Sequence, residues 1–238
     1  MLAKVKRLPL YQKVKTEAYQ RLEALIATRV YNHESARRLH ALADSAEFAA
    51  AHMKDAVAAP LKGTVMGKSL EAISLEGLVL EFGVWRGTTI NRIADHVGSS
   101  RQVHGFDSFE GLPENWFGDF TKGRFHTEGK LPQVRPNVTL HKGWFDQTLP
   151  DFVADHPGPV AFLHVDCDLY SSTKTIFQFL GDRIVPGTVI LFDEYFNYPG
   201  WRDHEHRAFT ELVEERGLKC RWLAYNTVEW NAAVQIVA

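Results

Sequence analysis

Short apolar runs alternate with helical segments from about residue 77 onward, and this alternation constrains the fold of the chain most strongly. The apolar runs predict strands at residues 78–82, 102–106, 138–141, 160–166, 188–193, 219–224 and 232–237. The segments between them predict helices at residues 88–97, 171–184 and 203–216. Such alternation is typical of an α/β protein with a parallel, doubly wound sheet. Only residues 225–231 separate the last two runs, too few for a crossover helix, so we expect those strands to pair in antiparallel orientation.

The chain before this region has a different composition. Residues 11–59 contain no Pro or Gly, and their apolar residues recur at three- and four-residue spacing, which is typical of one or two amphipathic helices. Pro60 and Gly63 are expected to end this helical stretch. We therefore predict an N-terminal helical segment at residues 1–62, acting as a cap or in oligomerisation, and an α/β domain at residues 63–238.

Charge and cysteine content narrow the functional classes. The net charge is −2 in a chain of 238 residues, so no strongly basic surface for nucleic acid is predicted. No apolar run reaches the length of a membrane span. The two cysteines, Cys167 and Cys220, form no disulfide framework. We expect a cytoplasmic protein that binds neither nucleic acid nor a membrane.

The first strand of the α/β region ends in a glycine-containing turn. Gly83 and Gly87 allow a tight turn and a close approach of a ligand, and Thr88 is the predicted N-cap of the next helix. Glu81 can accept from a cationic group, and Asp107, at the end of the next strand, can accept from both hydroxyls of a ribose. This pattern lacks the third glycine of a dinucleotide fingerprint and favours a nucleoside with a cationic amino-acid tail, such as S-adenosylmethionine. The alternatives are a turn without a ligand, with Asp107 as a helix cap, and a nicotinamide-dependent dehydrogenase.

Four acidic residues lie at the carboxyl ends of the fourth and fifth predicted strands. These residues are Asp166, Asp168, Asp193 and Glu194. Neighbouring strands lie about 4.8 Å apart, so their carboxylates can converge, and hard oxygen ligands suit Mg²⁺, with Mn²⁺ as a substitute. We assign Asp166, Asp193 and Glu194 as ligands and place Asp168 toward the substrate. The alternatives are helix caps at solvent-exposed strand ends and the metal site of a hydrolase.

Six sequence runs carry a resemblance to a known family. The runs are EFGVWRGTT, FDSFEGLP, GWFDQTLP, HVDCDLYSSTKT, VPGTVILFDEY and NYPGW. Together they resemble the macrocin O-methyltransferase family, over about residues 77–235. The resemblance implies a class I S-adenosylmethionine-dependent methyltransferase fold, with a seven-stranded sheet whose last strand is antiparallel. It also implies Mg²⁺-dependent methylation of sugar hydroxyls in natural products.

The resemblance also implies a set of cofactor-binding residues. The predicted set is Glu81, Gly83, Val84, Trp85, Gly87, Thr88, Asp107, Ser108, Phe109, Gly143, Trp144, Phe145 and Asp166. Glu81 and Gly83 would lie near the methionine part of the cofactor, and Asp107 and Ser108 near its ribose. Gly143 and Trp144 would lie near its adenine.

Two catalytic residues follow from the same resemblance. Asp168 matches a proposed general base of the family. In some members a lid histidine is the proposed base instead, and His126 is the candidate on the predicted lid at residues 116–130. Glu194 stands where many members have Asp, so the third metal ligand departs from the family pattern.

We therefore predict a homo-oligomeric O-methyltransferase that uses S-adenosylmethionine and Mg²⁺ or Mn²⁺. Its acceptor is predicted to be a small hydroxylated molecule, a sugar or a glycosylated natural product. A catechol-like phenolic acceptor is the alternative within this enzyme class. The dehydrogenase, the metal hydrolase and a non-catalytic assembly protein built on the N-terminal helices are the alternatives outside it.

Overall fold

An eight-stranded β-sheet with helices on both faces forms the centre of the molecule. The computed structural model describes residues 9–29 and 32–238, so residues 1–8 and 30–31 of the predicted N-terminal segment lie outside the described residues. The strands are β1 Val57–Ala59, β2 Leu78–Phe82, β3 Val103–Asp107, β4 Val138–Lys142, β5 Val160–Val165, β6 Val189–Phe192, β7 Lys219–Asn226 and β8 Ala232–Val237. The helices are α1 Pro9–Arg29, α2 His33–His52, α3 Lys62–Glu71, α4 Thr88–Val97, α5 Phe145–Asp155, α6 Tyr170–Leu180 and α7 Glu205–Arg216.

The strand order is β1-β7-β8-β6-β5-β2-β3-β4. All neighbouring strands are parallel except for β8, which runs antiparallel between β6 and β7. The predicted doubly wound α/β sheet with an antiparallel last strand is therefore confirmed. The predicted count of seven strands is wrong, because β1 pairs with β7 and adds an eighth strand at one edge. A strand of three residues carries too little periodicity to be recognised in a sequence.

Two helices were not expected from the sequence. Helix α3 contains Gly63, which was predicted to help end a helical stretch, and α5 contains Pro150. Both helices are stabilised by tertiary packing, since Val65 in α3 and Leu149 in α5 are fully buried. Burying such a side chain contributes about 1.5–3 kcal/mol, which exceeds the cost of about 1 kcal/mol for a glycine in a helix. The cost of about 3 kcal/mol for Pro150 is offset by the burial of Leu149 together with Phe152.

Alternate residues of the strands pack on opposite faces of the sheet. Val79 of β2 belongs to the apolar cluster beneath α3 and α4, whereas Leu80 and Phe82 belong to the cluster beneath α5, α6 and α7. This period of two is the geometry of a strand buried on both faces. The two clusters hold the sheet rigidly between its helical layers.

The edge at which the parallel strands end is the position for a ligand. The chain continues from β2 to β3 on one side, whereas β5 lies on the other side of β2. Ligands of open α/β sheets bind at such a switch point, outside the carboxyl ends of the strands. The segments after β2, β3, β5 and β6 all emerge there.

Helix α2 is attached to the loop after β6. The carboxylate of Asp44 forms two hydrogen bonds of 2.9 Å with the Arg202 guanidinium and accepts one of 3.0 Å from the indole N–H of Trp201. The predicted boundary after residue 62 falls within α3, and β1 before it belongs to the main sheet. The division into two parts stays a prediction. Among the described helices, none combines the length and the hydropathy that crossing a bilayer requires.

Candidate active site

The turn between β2 and α4 forms one wall of the site. Gly83 has φ 95°, and a Cβ atom there would lie 1.6 Å from the carbonyl oxygen of Asp166. Only glycine permits this approach of two strand ends. The N-cap of α4 is Gly87, with φ 79°, so the prediction of Thr88 as the cap is wrong, and Thr88 is the first helical residue.

Asp107 joins the turns after β2 and β3. Its Oδ2 accepts a hydrogen bond of 2.7 Å from the N–H of Trp85, and its Oδ1 accepts one of 2.6 Å from the N–H of Phe109. Burial raises the pKa of Asp107, and these backbone donors oppose the rise. Trp85 and Phe109 have φ values of 45° and 60°, which are rare for aromatic residues. Each oxygen of Asp107 has a second lone pair with which it can accept from a ligand.

A cavity of about 720 Å³ opens at this edge of the sheet. This volume is in the range of cofactor and substrate sites. The predicted cofactor-binding residues that line it are Gly83, Val84, Trp85, Thr88, Asp107, Ser108, Trp144, Phe145 and Asp166. The other four, which are Glu81, Gly87, Phe109 and Gly143, lie outside the lining. Glu81 is fully buried, with protein partners for both carboxylate oxygens, His164 and the hydroxyl of Thr89.

The predicted acidic cluster lies on the opposite wall of the cavity. Asp166, Asp168, Asp193 and Glu194 all line it, from the segments after β5 and β6. Glu205, the first residue of α7, is a fifth and fully buried carboxylate, and its Oε2 accepts from the N–H of Glu194 at 3.2 Å. The sheet therefore brings carboxylates from three segments of the chain together beside the predicted cofactor-binding turn.

Two basic side chains face these carboxylates. Lys62, at the start of α3, forms an ion pair with Oδ2 of Asp193. His164, fully buried in β5, places its Nε2 3.9 Å from Oδ1 of Asp193 and its Nδ1 3.0 Å from Oε2 of Glu81. The first distance exceeds that of a hydrogen bond, so Nε2 of His164 and Oδ1 of Asp193 are buried polar atoms without a hydrogen-bond partner.

These charges shift the pKa values of the cluster in opposite directions. Burial alone would raise the pKa of Asp193, but His164 and Lys62 lower it below its usual range. Burial alone would lower the pKa of His164, but the carboxylates of Asp193 and Glu81 raise it to about 10. Burial and the negative charge of Asp193 raise the pKa of Asp168 to about 7. One carboxylate is thus held ionised, while Asp168 can exchange a proton near neutral pH.

The predicted lid is attached to the protein by its aromatic side chains. The ring of Phe117 stacks on Tyr198 with centroids 4.8 Å apart, and Trp116 lies edge-on to Tyr198 at 5.3 Å. His126, the second predicted catalytic residue, is exposed and lies outside the cavity lining. Of the two predicted bases, Asp168 lines the cavity and His126 does not.

Known proteins match this chain over most of its length. Residues 12–219 match the family model described as macrocin-O-methyltransferase (TylF). The chain belongs to the macrocin O-methyltransferase family. The family predicted from the sequence is confirmed, and the model of that family describes an O-methyltransferase.

Two relatives of this family member come from Streptomyces. The chain is 32% identical over 146 residues to 8-demethyl-8-(2,3-dimethoxy-alpha-L-rhamnosyl)-tetracenomycin-C 4'-O-methyltransferase of Streptomyces olivaceus, a match that covers 52% of this chain and 55% of the relative. It is 28% identical over 166 residues to demethyldecarbamoylnovobiocin O-methyltransferase of Streptomyces niveus, covering 60% and 62%. The chain therefore matches less than two thirds of the length of either relative.

Solved methyltransferase structures share the fold of this family member. CalS11, a calicheamicin methyltransferase, superposes with a TM-score of 0.56 at 19% identity, covering 96% of this chain and 93% of CalS11. The O-methyltransferase NovP also gives a TM-score of 0.56, at 22% identity, covering 74% and 79%. The predicted class I methyltransferase fold is confirmed.

The acidic cluster of this macrocin O-methyltransferase family member has the donors that a divalent cation requires. Ligand-type atoms of His164, Asp166 and Asp193 lie within 4.8 Å of one another. The imidazole of His164, whose pKa is raised to about 10, is protonated and has no free lone pair, so the carboxylates are the available ligands. Oδ1 of Asp193 and Oε2 of Glu194 are buried without a hydrogen-bond partner. Buried, unpartnered carboxylate oxygens fit a cation well. Among the described residues, the group with ligand-type atoms within 4.8 Å of one another does not include Glu194. The role of Glu194 as the third ligand stays a prediction.

Sequence reasoning missed three charged residues of the site, which are His164, Glu205 and Lys62. His164 interrupts the otherwise apolar strand β5, and a buried polar residue in such a strand is a signal that could have joined it to the site. Glu205 lies in a charged run that is typical of a solvated helix start, and only packing buries it. Nothing in the local sequence distinguishes Lys62 from a surface lysine.

Proposed function

We propose that this chain is an S-adenosylmethionine- and divalent-metal-dependent O-methyltransferase that methylates a hydroxyl of a sugar or of a glycosylated natural product. One observation carries the proposal: the carboxylates after β5 and β6 line the same cavity as Gly83 and Asp107. A cofactor pocket and a candidate cation site therefore share one space. The named activity of the Streptomyces olivaceus relative, 4'-O-methylation of a rhamnosyl tetracenomycin, supports a sugar hydroxyl as acceptor.

The cofactor would bind along the turns after β2, β3 and β4. Asp107 would accept from the ribose hydroxyls with its free lone pairs, and Ser108 lies beside it. Trp144 and Phe145 would pack against the adenine, since aromatic rings bury a base well. The turn at Gly83 lets the methionine part approach the backbone closely.

The acceptor hydroxyl would lie between the cofactor and the acidic cluster. Asp166 and Asp193, with Glu194, would hold Mg²⁺ or Mn²⁺, which supplies a positive charge that favours ionisation of the acceptor hydroxyl. Asp168 would take the hydroxyl proton, because it lines the cavity beside the predicted ligands and is not itself assigned as a ligand. The acceptor oxygen would then form its bond to the methyl carbon of S-adenosylmethionine as the carbon–sulfur bond breaks, which would give a methyl ether and S-adenosylhomocysteine. Holding both reactants in line is the chief contribution of the cavity.

A methyl-transfer assay on Asp193→Asn tests this proposal. We expect turnover to fall at least about 100-fold, since the ionised carboxylate of the cluster is lost, while affinity for S-adenosylmethionine by calorimetry changes little. Asp95→Asn is the matched control, because Asp95 pairs with Arg135 on the exposed surface. The acceptor panel contains glycosides, sugar nucleotides and a catechol. Full activity of Asp193→Asn, or of the wild-type chain after chelation, would contradict metal dependence.

Asp168→Asn separates the base from the metal ligands. We expect kcat to fall about 100-fold or more while metal affinity, measured by calorimetry, changes little. A loss of metal affinity that accounts for the whole loss of activity would contradict the role of Asp168 as base.

We further propose that the enzyme is cytoplasmic and acts as a homo-oligomer through its N-terminal helices. Leu22 and Leu25 of α1 and Leu39 of α2 are at least half exposed. Exposed apolar side chains on two consecutive helices support an interface. Light scattering of the full chain and of a Leu22→Glu/Leu25→Glu variant tests this, and an unchanged mass would contradict the assignment.

A further inference from the structure

The side chain of Lys62 reaches the acidic cluster from outside the core of the fold. Lys62 is the first residue of α3, which packs on the sheet through Val65 and Leu70. Its partner Asp193 is 131 positions away in the sequence, directly after β6. The Lys62 side chain is 47% exposed and lines the cavity, whereas the Asp193 side chain is 6% exposed. The ammonium group thus covers a buried carboxylate from the solvent side of the site.

The acidic cluster carries more carboxylates than basic partners, so the ion pair between Lys62 and Asp193 has a large effect on its charge. Five carboxylates gather here, and in the described part of the chain Lys62 and His164 are the basic residues paired with a member of the cluster. The other ring nitrogen of His164 forms a hydrogen bond with Glu81, so the positive charge of His164 is shared between two carboxylates. Lys62 is therefore the main counter-charge on the cavity side of the cluster. Buried carboxylates without a counter-charge would repel one another strongly.

We propose that Lys62 is a tethered counter-cation that competes with the divalent metal for Asp193, so that α3 sets the metal affinity of the site. This inference rests on the metal-dependent function proposed above. The Lys62 ammonium is paired with Oδ2 of Asp193. While this ion pair persists, only Oδ1 of Asp193 is free to bind a metal. Two cations near one carboxylate repel each other, so the ammonium must leave or weaken the binding of the metal.

The structure allows Lys62 to leave without disturbing the fold. Its side chain is half exposed, ends at the cavity and has a flexible four-carbon stem. The buried contacts of α3 come from other residues, including Val65, Met66 and Leu70. When the ammonium leaves Asp193, it stays at the cavity and meets solvent or substrate. The ion pair therefore stabilises the metal-free cluster and opposes the metal-bound one.

Metal titration of the metal-free full chain by calorimetry tests the inference, with Mn²⁺ and Mg²⁺ as probes. We expect Lys62→Met to bind Mn²⁺ at least about tenfold more tightly than the wild-type chain, because a positive charge is removed from beside Asp193. Lys62→Arg keeps the charge and is expected to bind no more tightly than wild type. Lys68→Met is the matched control, since Lys68 lies on the same helix, is 45% exposed and pairs with Glu71 away from the cavity. Equal or weaker Mn²⁺ binding by Lys62→Met would overturn the inference.

Thermal melting gives a second readout that does not depend on activity. In chelator, Lys62→Met is expected to melt below both the wild-type chain and Lys68→Met, and Mn²⁺ is expected to raise its melting temperature more than theirs. An equal rise in all three proteins would overturn the inference. If wild type binds Mn²⁺ and Lys62→Met binds it equally, only the role of Lys62 fails. If neither binds Mn²⁺, the metal dependence of the proposed function fails as well.

Discussion

Glu81 and His164 face each other on neighbouring strands and share a hydrogen bond inside the sheet. They are register partners of β2 and β5, with Oε2 of Glu81 and Nδ1 of His164 3.0 Å apart and both side chains fully buried. Thr89 donates to the other oxygen of Glu81 at 3.1 Å, and the other ring nitrogen of His164 faces Asp193. This pair connects the glycine turn on one side of the cavity to the acidic cluster on the other.

Glu81→Gln is expected to destabilise the protein by about 3 kcal/mol, because it leaves the charged imidazole of His164 without its carboxylate partner. His164→Gln is expected to have a similar effect, and the double variant to cost less than the sum of the two. Urea denaturation monitored by tryptophan fluorescence measures all three. Strict additivity would show that the two side chains are not coupled.

Gly83→Ala is expected to cost about 3 kcal/mol or more, because its Cβ atom would meet the Asp166 carbonyl oxygen at 1.6 Å and its φ of 95° is unfavourable for alanine. Gly217→Ala is the matched control. Gly217 also has a positive φ, 60°, in the left-handed region, but no atom lies near its Cβ position, so only about 1 kcal/mol of backbone strain is expected. Chemical denaturation compares the two, and equal losses would refute the close contact of the strand ends.

The free energy of unfolding is expected to decrease as the pH is lowered, because His104 is protonated more readily in the unfolded chain than in the folded one. Burial, and then the charges of His141 and His156, lower its pKa from 6.5 to about 4. The unfolded chain takes up the proton near pH 6.5 and the folded one only near pH 4, so the stabilisation is complete above pH 6.5 and is lost as pH falls to 4. The loss amounts to at most about 3 kcal/mol. Melting curves from pH 8 to pH 4 measure it, and His104→Phe should flatten the curve. An equally steep curve for His104→Phe would assign the effect to other groups.

Asp107→Asn is expected to weaken S-adenosylmethionine binding about tenfold, since a charged acceptor for the ribose hydroxyls becomes neutral. The melting temperature must be measured alongside, because Asp107 also accepts from the backbone of Trp85 and Phe109. Asp95→Asn, on the exposed surface, serves as the control. Unchanged affinity in calorimetry, with the fold intact, would exclude Asp107 from the cofactor site.

Much of the fold and part of the site could be predicted because the relevant signals are local. Strand β2, helix α4 and strand β8 were predicted with their observed bounds, since each has a clear apolar period. The acids after β5 and β6 could be placed together because parallel strands end at one edge. The positions of these acids at the ends of predicted strands are therefore enough to place them together, and no knowledge of side-chain packing is needed.

Other features depend on contacts between distant residues, which local periodicity does not encode. Helix α5 forms despite Pro150, because Leu149 and Phe152 are buried against the sheet. Glu205 belongs to a run that is typical of an exposed helix start, but its side chain is fully buried beside Glu194. In both cases tertiary burial overrides the local preference of the chain.

The sequence by itself determined the family, the doubly wound sheet with its antiparallel last strand, and the edge of the sheet at which the acidic residues gather. These follow from apolar periodicity and from the direction of parallel strands, which are properties of short segments. Only the tertiary structure decided that Lys62 neutralises Asp193 and that His164 lies between Asp193 and Glu81. Charge pairing depends on distances of a few ångströms between segments far apart in the chain, and those distances exist only after the sheet and its helices have packed.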